Sequence, residues 1–69
     1  MEMVKMLEII ITPTSLVFKN MEYDMMNTLQ DKFGFAFILD GDEFKITGEP
    51  QYLFKTLYLL SCDYEIELN

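Results

Sequence analysis

The sequence predicts one α+β domain in which strands and helices follow the order β-α-β-β-α-β. Three features lead to this prediction: β-branched and aliphatic runs separated by turn residues, two stretches with apolar residues at helical spacing, and a final segment that alternates polar and apolar residues. The 69 residues contain no repeat or linker, so residues 1–69 are expected to form a single domain near the lower size limit for independent folding.

The first predicted strand runs from Val4 to Ile11, and its three consecutive isoleucines indicate a strand buried on both faces. Thr12-Pro13-Thr14 ends it, because proline has no N–H for the ladder. Residues 15–19 allow two interpretations. They form either a short return strand that makes a hairpin with the first strand, or the start of a long helix capped by Thr12.

The first helix is expected at about Asn20 to Phe33, where apolar residues recur every four positions. Asn20 is the candidate N-cap, and Gly34 is suited to the left-handed conformation that ends many helices. A hairpin follows, because Asp40-Gly41-Asp42 separates the β-patterned runs 35–39 and 43–47.

The second helix is expected at Pro50 to Ser61, with proline at its first position. Its predicted buried stripe consists of Leu53, Phe54, Leu57, Tyr58 and Leu60. The segment from Cys62 to Leu68 alternates strictly, which predicts a half-buried strand.

This element order is that of the ferredoxin-like, or split βαβ, sandwich, in which a four-stranded antiparallel sheet carries two helices on one face. A possible extra short strand at 15–19 would change the topology. The predicted core consists of Leu7, Ile9, Met25, Leu29, Phe35, Phe37, Phe44, Ile46, Leu57 and Ile66.

Charge is the main functional indication. Twelve Asp and Glu residues oppose five Lys, and the chain has neither Arg nor His, so its formal charge is −7. Such a protein repels nucleic acid and anionic membranes and attracts basic surfaces. The absence of Arg and Trp also disfavours a nucleic-acid reader, which uses Arg forks and aromatic stacking.

Two acidic groups are the candidate partner-binding residues. They are Asp63, Glu65 and Glu67 on the last strand, and Asp40, Asp42 and Glu43 around the hairpin. Residues on one strand face lie about 6.7 Å apart, which is similar to the spacing of charges along a nucleic-acid backbone. Each group also has a structural explanation, namely a solvated strand face for the first and turn chemistry for the second.

The sheet face away from the helices is predicted to be partly apolar. Its predicted apolar residues are Val4, Met6, Ile10 and Ile38. A small domain usually covers such a surface with a partner, so we expect a homodimer through this face or through the edge strands.

The sequence contains no catalytic or metal-binding motif. Its single cysteine, Cys62, has no His or Arg to activate it, and a buried structural thiol is expected. We therefore expect no enzyme activity, no cofactor and no metal. A free thiol, no long apolar run and no secretory leader together favour a cytoplasmic protein without a membrane segment.

In length, acidity, single cysteine and lack of catalytic motif, the whole chain resembles small acidic bacteriophage proteins that take over a host cell. Among these it is similar to DNA mimics, which inhibit a basic DNA-binding protein such as the nucleoid protein HU or a DNA-processing enzyme. The resemblance implies that the acidic residues stand in for phosphates and block the partner's access to DNA. The alternative is a non-enzymatic dimerisation or protein-interaction module that docks through its apolar sheet face.

Overall fold

A five-stranded mixed sheet and two helices make up residues 6–69, the part of the chain that the computed structural model describes. The elements are β1 (Met6–Thr12), β2 (Ser15–Lys19), α1 (Tyr23–Phe33), β3 (Ile38–Asp40), β4 (Glu43–Thr47), α2 (Pro50–Ser61) and β5 (Glu65–Leu68). The strand order across the sheet is β3-β4-β2-β1-β5. The predicted α+β class is confirmed, whereas the number and order of strands differ from the four-stranded ferredoxin-like sheet.

The extra strand β2 explains the difference. Thr12 and Ser15 pair across a two-residue turn of Pro13 and Thr14, so residues 15–19 return antiparallel to β1. The Oγ1 atom of Thr12 lies 2.6 Å from the Oγ of Ser15 and accepts a hydrogen bond from the N–H of Thr14, which holds the turn together. This hairpin reverses the chain once more than the predicted topology does, so β5 pairs parallel to β1.

Each helix crosses one face of the sheet between two parallel strands. The ladders make β2 parallel to β3, which α1 connects, and β4 parallel to β5, which α2 connects. Leu29 of α1 and Leu53 and Leu60 of α2 are buried in one core with Ile9 and Phe18 of the sheet. Both helices therefore cover the same face, as predicted, and the opposite face is open.

The ends of α1 differ in how well the sequence predicts them. Gly34 adopts the expected left-handed conformation (φ 75°), and its N–H donates to the carbonyl of Gln30 over 2.8 Å. The helix begins at Tyr23, however, after an N-cap at Glu22. The predicted cap, Asn20, instead has a positive φ of 56° at the end of β2, where the chain turns away from the sheet.

Strand β3 is shorter than predicted because aromatic packing, not ladder pairing, holds the segment before it. Phe35 is buried and stacks on Phe33 with ring centroids 5.1 Å apart. Phe37 is half-buried and packs edge-on against Phe18 at 5.2 Å. Only Ile38–Asp40 pairs with β4, and the predicted hairpin turn is present, with a positive φ of 65° at Gly41.

The predicted core is confirmed, since all ten residues are buried or packed against the buried cluster. The core also contains Leu16 and Phe18 of β2, which the sequence does not predict because it leaves residues 15–19 open between strand and helix. Thr56 is buried as well, and its hydroxyl donates to the carbonyl of Tyr52. The predicted stripe of α2 is wrong at two positions: Phe54 is 65% exposed and Tyr58 is 68% exposed.

Helix α2 turns Leu53, Thr56 and Leu60 toward the sheet, and this spacing leaves Phe54 and Tyr58 to one side. Within residues 6–69, no helix has the length and apolar character needed to cross a membrane.

Candidate functional site

A row of charged side chains crosses the open face of the sheet. The ladder registers and one ion pair align Asp40, Glu43, Lys19, Glu8 and Glu67 on successive strands from β3 to β5. Neighbouring strands lie about 4.8 Å apart, so the row spans about 19 Å. Four of its five members are acidic, and the sheet fixes their order and spacing.

Two lysines neutralise the hairpin end of this row. The Nζ of Lys19 lies 2.6 Å from the Oε2 of Glu43, and the Nζ of Lys45 lies 3.0 Å from the Oδ2 of Asp40. The hydrogen bond to Glu43 and the charge of Glu43 raise the pKa of Lys19 above its ordinary value of 10.5, so this lysine keeps its charge to higher pH. Of the predicted hairpin residues, Asp42 alone is exposed and free of an ion pair within residues 6–69.

Asp63 does not lie on the last strand, and the prediction that it shares a face with Glu65 and Glu67 is wrong. It belongs to the turn after α2, where its N–H and that of Tyr64 donate to the carbonyl of Leu60. Its Oδ2 lies 2.8 Å from the Nζ of Lys32 on α1. That hydrogen bond raises the pKa of Lys32. Asp63 is thus a link between helices.

Glu65 and Glu67 occupy the predicted face. They lie beside Met6 and Glu8 of β1, are exposed, and form no ion pair within residues 6–69. Glu8 accepts a hydrogen bond from the Nδ2 of Asn20 over 3.2 Å, while its cross-strand neighbour Lys19 is bound to Glu43. We name Glu8, Glu65 and Glu67 the acidic patch. This end of the open face is negative, and its three carboxylates form no ion pair in the described part of the chain.

The apolar residues predicted for a dimer interface are scattered over the open face. They are Val4, Met6, Ile10 and Ile38, of which Val4 lies outside the described residues. Met6 is 54% exposed, Ile38 is 46% exposed and Ile10 is half-buried. Lys45 separates Ile38 from Val17 and Ile10 in the register, and Glu8 separates Met6 from Ile10 along β1, so these residues do not form one continuous apolar surface.

A more continuous apolar surface, which the sequence analysis missed, lies on the helix side of β5. We name it the apolar groove, and its apolar lining, to which the polar Ser61 is added, consists of Phe54, Leu57, Tyr58, Ile66 and Leu68. The residues at its rims are strongly exposed. They are Leu68, which is 58% exposed, and the aromatic side chains Phe54 and Tyr58 of α2. The sequence feature that indicates this groove is the composition of α2, whose apolar residues occupy more than one stripe of the helix.

Cys62 is the C-cap residue of α2 and is exposed, so the predicted burial of its thiol is wrong. Within residues 6–69, no three His, Cys, Asp or Glu side chains are grouped so that they could hold a metal ion.

Comparison with known proteins adds no family to this description. No protein-family model matches the chain, and no curated protein or solved structure shows significant similarity to it. The surfaces themselves are therefore the basis for inferring a function.

Proposed function

We propose that this protein is a non-enzymatic inhibitor that binds a basic DNA-binding protein in place of DNA. The observation that carries the proposal is the acidic patch of Glu8, Glu65 and Glu67, which has no ion-pair partner among residues 6–69. Two adjacent strands hold the backbones of these residues about 4.8 Å apart across the sheet and about 6.7 Å apart along β5. A regular array of this kind suits a surface that normally binds phosphates.

The net charge supports the same function at longer range. A charge of −7 on 69 residues attracts a basic partner and accelerates encounter, while it keeps the protein off DNA. The partner we propose is a nucleoid protein such as HU, or a DNA-processing enzyme, in the cytoplasm of a bacteriophage-infected cell. The exposed free thiol of Cys62 is compatible with that reducing compartment.

The six residues expected from the sequence have unequal roles in this proposal. Glu65 and Glu67 are free to contact the partner, and Glu8 joins them. Asp40 and Glu43 reach the partner only after exchanging their lysines, which is feasible because exposed ion pairs contribute little to stability. Asp63 is excluded from this role because it lies in the turn after α2, beside Lys32 of α1, and not on the open face.

The test is displacement of a fluorescent DNA duplex from purified HU at low ionic strength. We expect the protein to displace the duplex. The triple variant Glu8→Gln, Glu65→Gln, Glu67→Gln should do so at least about tenfold less well, because close charge pairs at such interfaces contribute at least 1.4 kcal/mol together.

A charge-matched control separates the patch from net charge. The variant Glu22→Gln, Asp31→Asn, Glu49→Gln removes the same charge from exposed positions outside the open face, and neither Glu22 nor Glu49 makes a side-chain cap hydrogen bond. This control should displace DNA nearly as well as the unaltered protein. Equal loss in both variants, or no displacement by the unaltered protein, would contradict the proposal.

A second candidate function is a protein-interaction module that docks through an apolar surface. The specific observation in its favour is the apolar groove, whose aromatic rims Phe54 and Tyr58 are about two-thirds exposed. Clustered exposed apolar side chains commonly mark protein-binding sites. Binding of this kind tolerates salt, whereas binding by the acidic patch does not.

A further inference from the structure

The outer edge of β5 is bordered on one side by the apolar groove and on the other by the acidic patch. We propose that this edge binds an extended segment of a partner protein as an added strand, and that basic and apolar side chains alternate in the bound segment. Addition of a strand to an open sheet edge is a common mode of peptide recognition, in which backbone hydrogen bonds give affinity and side-chain contacts give specificity.

The backbone of β5 is available for such pairing. β5 is the last strand in the sheet order and pairs with β1 alone among the described strands. The N–H of Asn69 donates to the carbonyl of Ile9, so backbone groups at alternate positions, Glu67 and Glu65, also point toward β1. Ile66 and Leu68 therefore direct their N–H and C=O groups outward. β5 contains no Lys or Pro, the residues that commonly protect an exposed edge.

The helix side of this edge favours apolar side chains in the partner. Ile66 and Leu68 point to that side, since they pair in register with the buried Leu7 and Ile9 of β1. Alternate side chains of an added strand would lie beside them, at the groove that Phe54 and Tyr58 border. Covering these exposed rings with apolar side chains removes them from water.

The open side of the edge favours basic side chains. Glu65 and Glu67 point to this side and are exposed. Residues directly opposite each other on neighbouring strands have Cβ atoms about 4.5–5.5 Å apart, where opposite charges attract and like charges repel. Lys or Arg at every second position of the partner segment meets both glutamates, and the two-residue period of a strand sends the intervening residues to the groove.

The same charges disfavour a second copy of this chain at the edge. Two β5 strands can pair antiparallel with the helices of both copies on one side. Two such registers align three of the four residues of each β5 strand. In both registers a glutamate of one copy lies opposite a glutamate of the other. Ile66 opposite Ile66 brings Glu65 against Glu67, and Glu67 opposite Glu67 is the other case. The charge on this edge thus selects a basic partner segment over self-association.

This inference deepens the proposed function, because it gives the basic partner a defined way to bind. Short labelled peptides test it directly. One peptide alternates Lys and Val, and a control peptide has the same composition with all Lys first and all Val last. We expect the alternating peptide to bind about tenfold more tightly, since only it can direct each residue type to its own side. The amide signals of Ile66 and Leu68 should shift on binding.

Two substitutions at one position isolate the backbone contribution. Leu68→Pro removes an outward N–H that the β1–β5 ladder does not use, and Leu68→Ala removes the same exposed side chain but keeps the N–H. We expect the Pro variant to bind the alternating peptide about fivefold more weakly than the Ala variant, as the loss of one hydrogen bond predicts.

A charge swap keeps the test decisive even if Leu68→Pro fails to fold. The double variant Glu65→Lys, Glu67→Lys should lose the Lys-Val peptide and bind an alternating Glu-Val peptide instead. Equal binding of the alternating and block peptides, or an unchanged preference after the swap, would overturn the strand-addition proposal. A dimer would also overturn the proposal if sedimentation detects it and the amide signals of Ile66 and Leu68 show that its contacts lie at β5. Failure to displace DNA from HU while the peptide results hold would remove only the proposed inhibitory function.

Discussion

At the scale of single residues, exposure divides the apolar side chains of α2 into those that stabilise the fold and those available to a partner. Leu53 is buried beneath the helix at 3% exposure, whereas its neighbour Phe54 is 65% exposed. The two residues are adjacent in the sequence and similar in hydrophobicity, but the helix turns them about 100° apart. Their different environments lead to different expectations for the same substitution.

Leu53→Ala should lower the free energy of unfolding by about 2–5 kcal/mol, because it removes buried methyl groups and leaves a cavity. Phe54→Ala should change it by less than about 0.5 kcal/mol, as is usual for surface positions. Chemical denaturation followed by circular dichroism measures both values. Similar destabilisation by both substitutions would show that Phe54 is buried, as the sequence pattern alone predicts.

Asp63 offers a second test at this scale, because its pairing with Lys32 separates it from the acidic patch. Asp63→Asn should leave displacement of DNA from HU unchanged, whereas Glu65→Gln should weaken it. Asp63→Asn should also lower the raised pKa of Lys32 toward its ordinary value of 10.5, and NMR titration of the lysine signals can detect this change.

The sign of the pH dependence follows from the raised pKa of Lys32. Any stabilisation from the Lys32–Asp63 pair is complete at neutral pH and is lost as the pH rises through the pKa of the folded Lys32, above 10.5.

The displacement experiment has an outcome that would contradict this position of Asp63. If Asp63→Asn reduces displacement of DNA from HU as much as Glu65→Gln does, Asp63 belongs to the binding surface.

At the scale of elements, the C-terminus of α1 depends on the conformation of one glycine. Gly34 has a φ of 75°, and a Cβ added there would meet no atom within 4 Å. Gly34→Ala should therefore destabilise the fold through backbone strain alone, by about 1–2 kcal/mol. Gly34→Asn should cost less, because Asn tolerates the left-handed region. Thermal unfolding of both variants checks this order, and equal stability of Ala and Gly would contradict the observed helix end.

The elements that the sequence predicts well are those whose signals are local. The boundaries of α2, the Asp40-Gly41-Asp42 turn and the end of α1 at Gly34 all follow from nearby residues. The sequence leaves strand or helix open for β2, because Val17 fits a helical repeat with Met21 as well as a strand. Pairing with β1 on one side and β4 on the other decides the matter, and these contacts are distant in sequence.

The candidate site shows the same division. The alternation of the last segment predicts that Glu65 and Glu67 share one face, and the register of β5 agrees. The start of β5 depends instead on the turn at the end of α2 and on Lys32 of α1, so the alternation alone predicts the wrong position for Asp63. The contribution of Glu8 depends on its register with Glu67, which only the parallel pairing of β1 and β5 reveals.

At the scale of the whole molecule, the open face and the apolar groove are two separate surfaces on opposite sides of the sheet. The homodimer expected from the sequence stays a prediction. Met6, Ile10 and Ile38 all lie on the open face, so a dimer formed there would cover part of the acidic patch as well.

Sedimentation velocity tests that dimer with one matched pair of variants. If the open face is the interface, Ile38→Lys should shift a dimer to monomer, whereas Tyr58→Lys on the helix side should not. Both positions are exposed, so neither change should unfold the protein. A monomer at tens of micromolar, where an interface of about −6 to −7 kcal/mol would associate, would rule out the dimer.

The salt dependence of HU binding tests the central claim, that the acidic patch binds a basic protein in place of DNA. Affinity should be measured by calorimetry between 50 and 200 mM salt, a range over which the Debye length falls below about 10 Å. We predict that affinity falls steeply over this range and that the triple variant Glu8→Gln, Glu65→Gln, Glu67→Gln shows a shallower slope. Binding that is tight and independent of salt, with the same slope in both proteins, would contradict the claim and favour docking through the apolar groove.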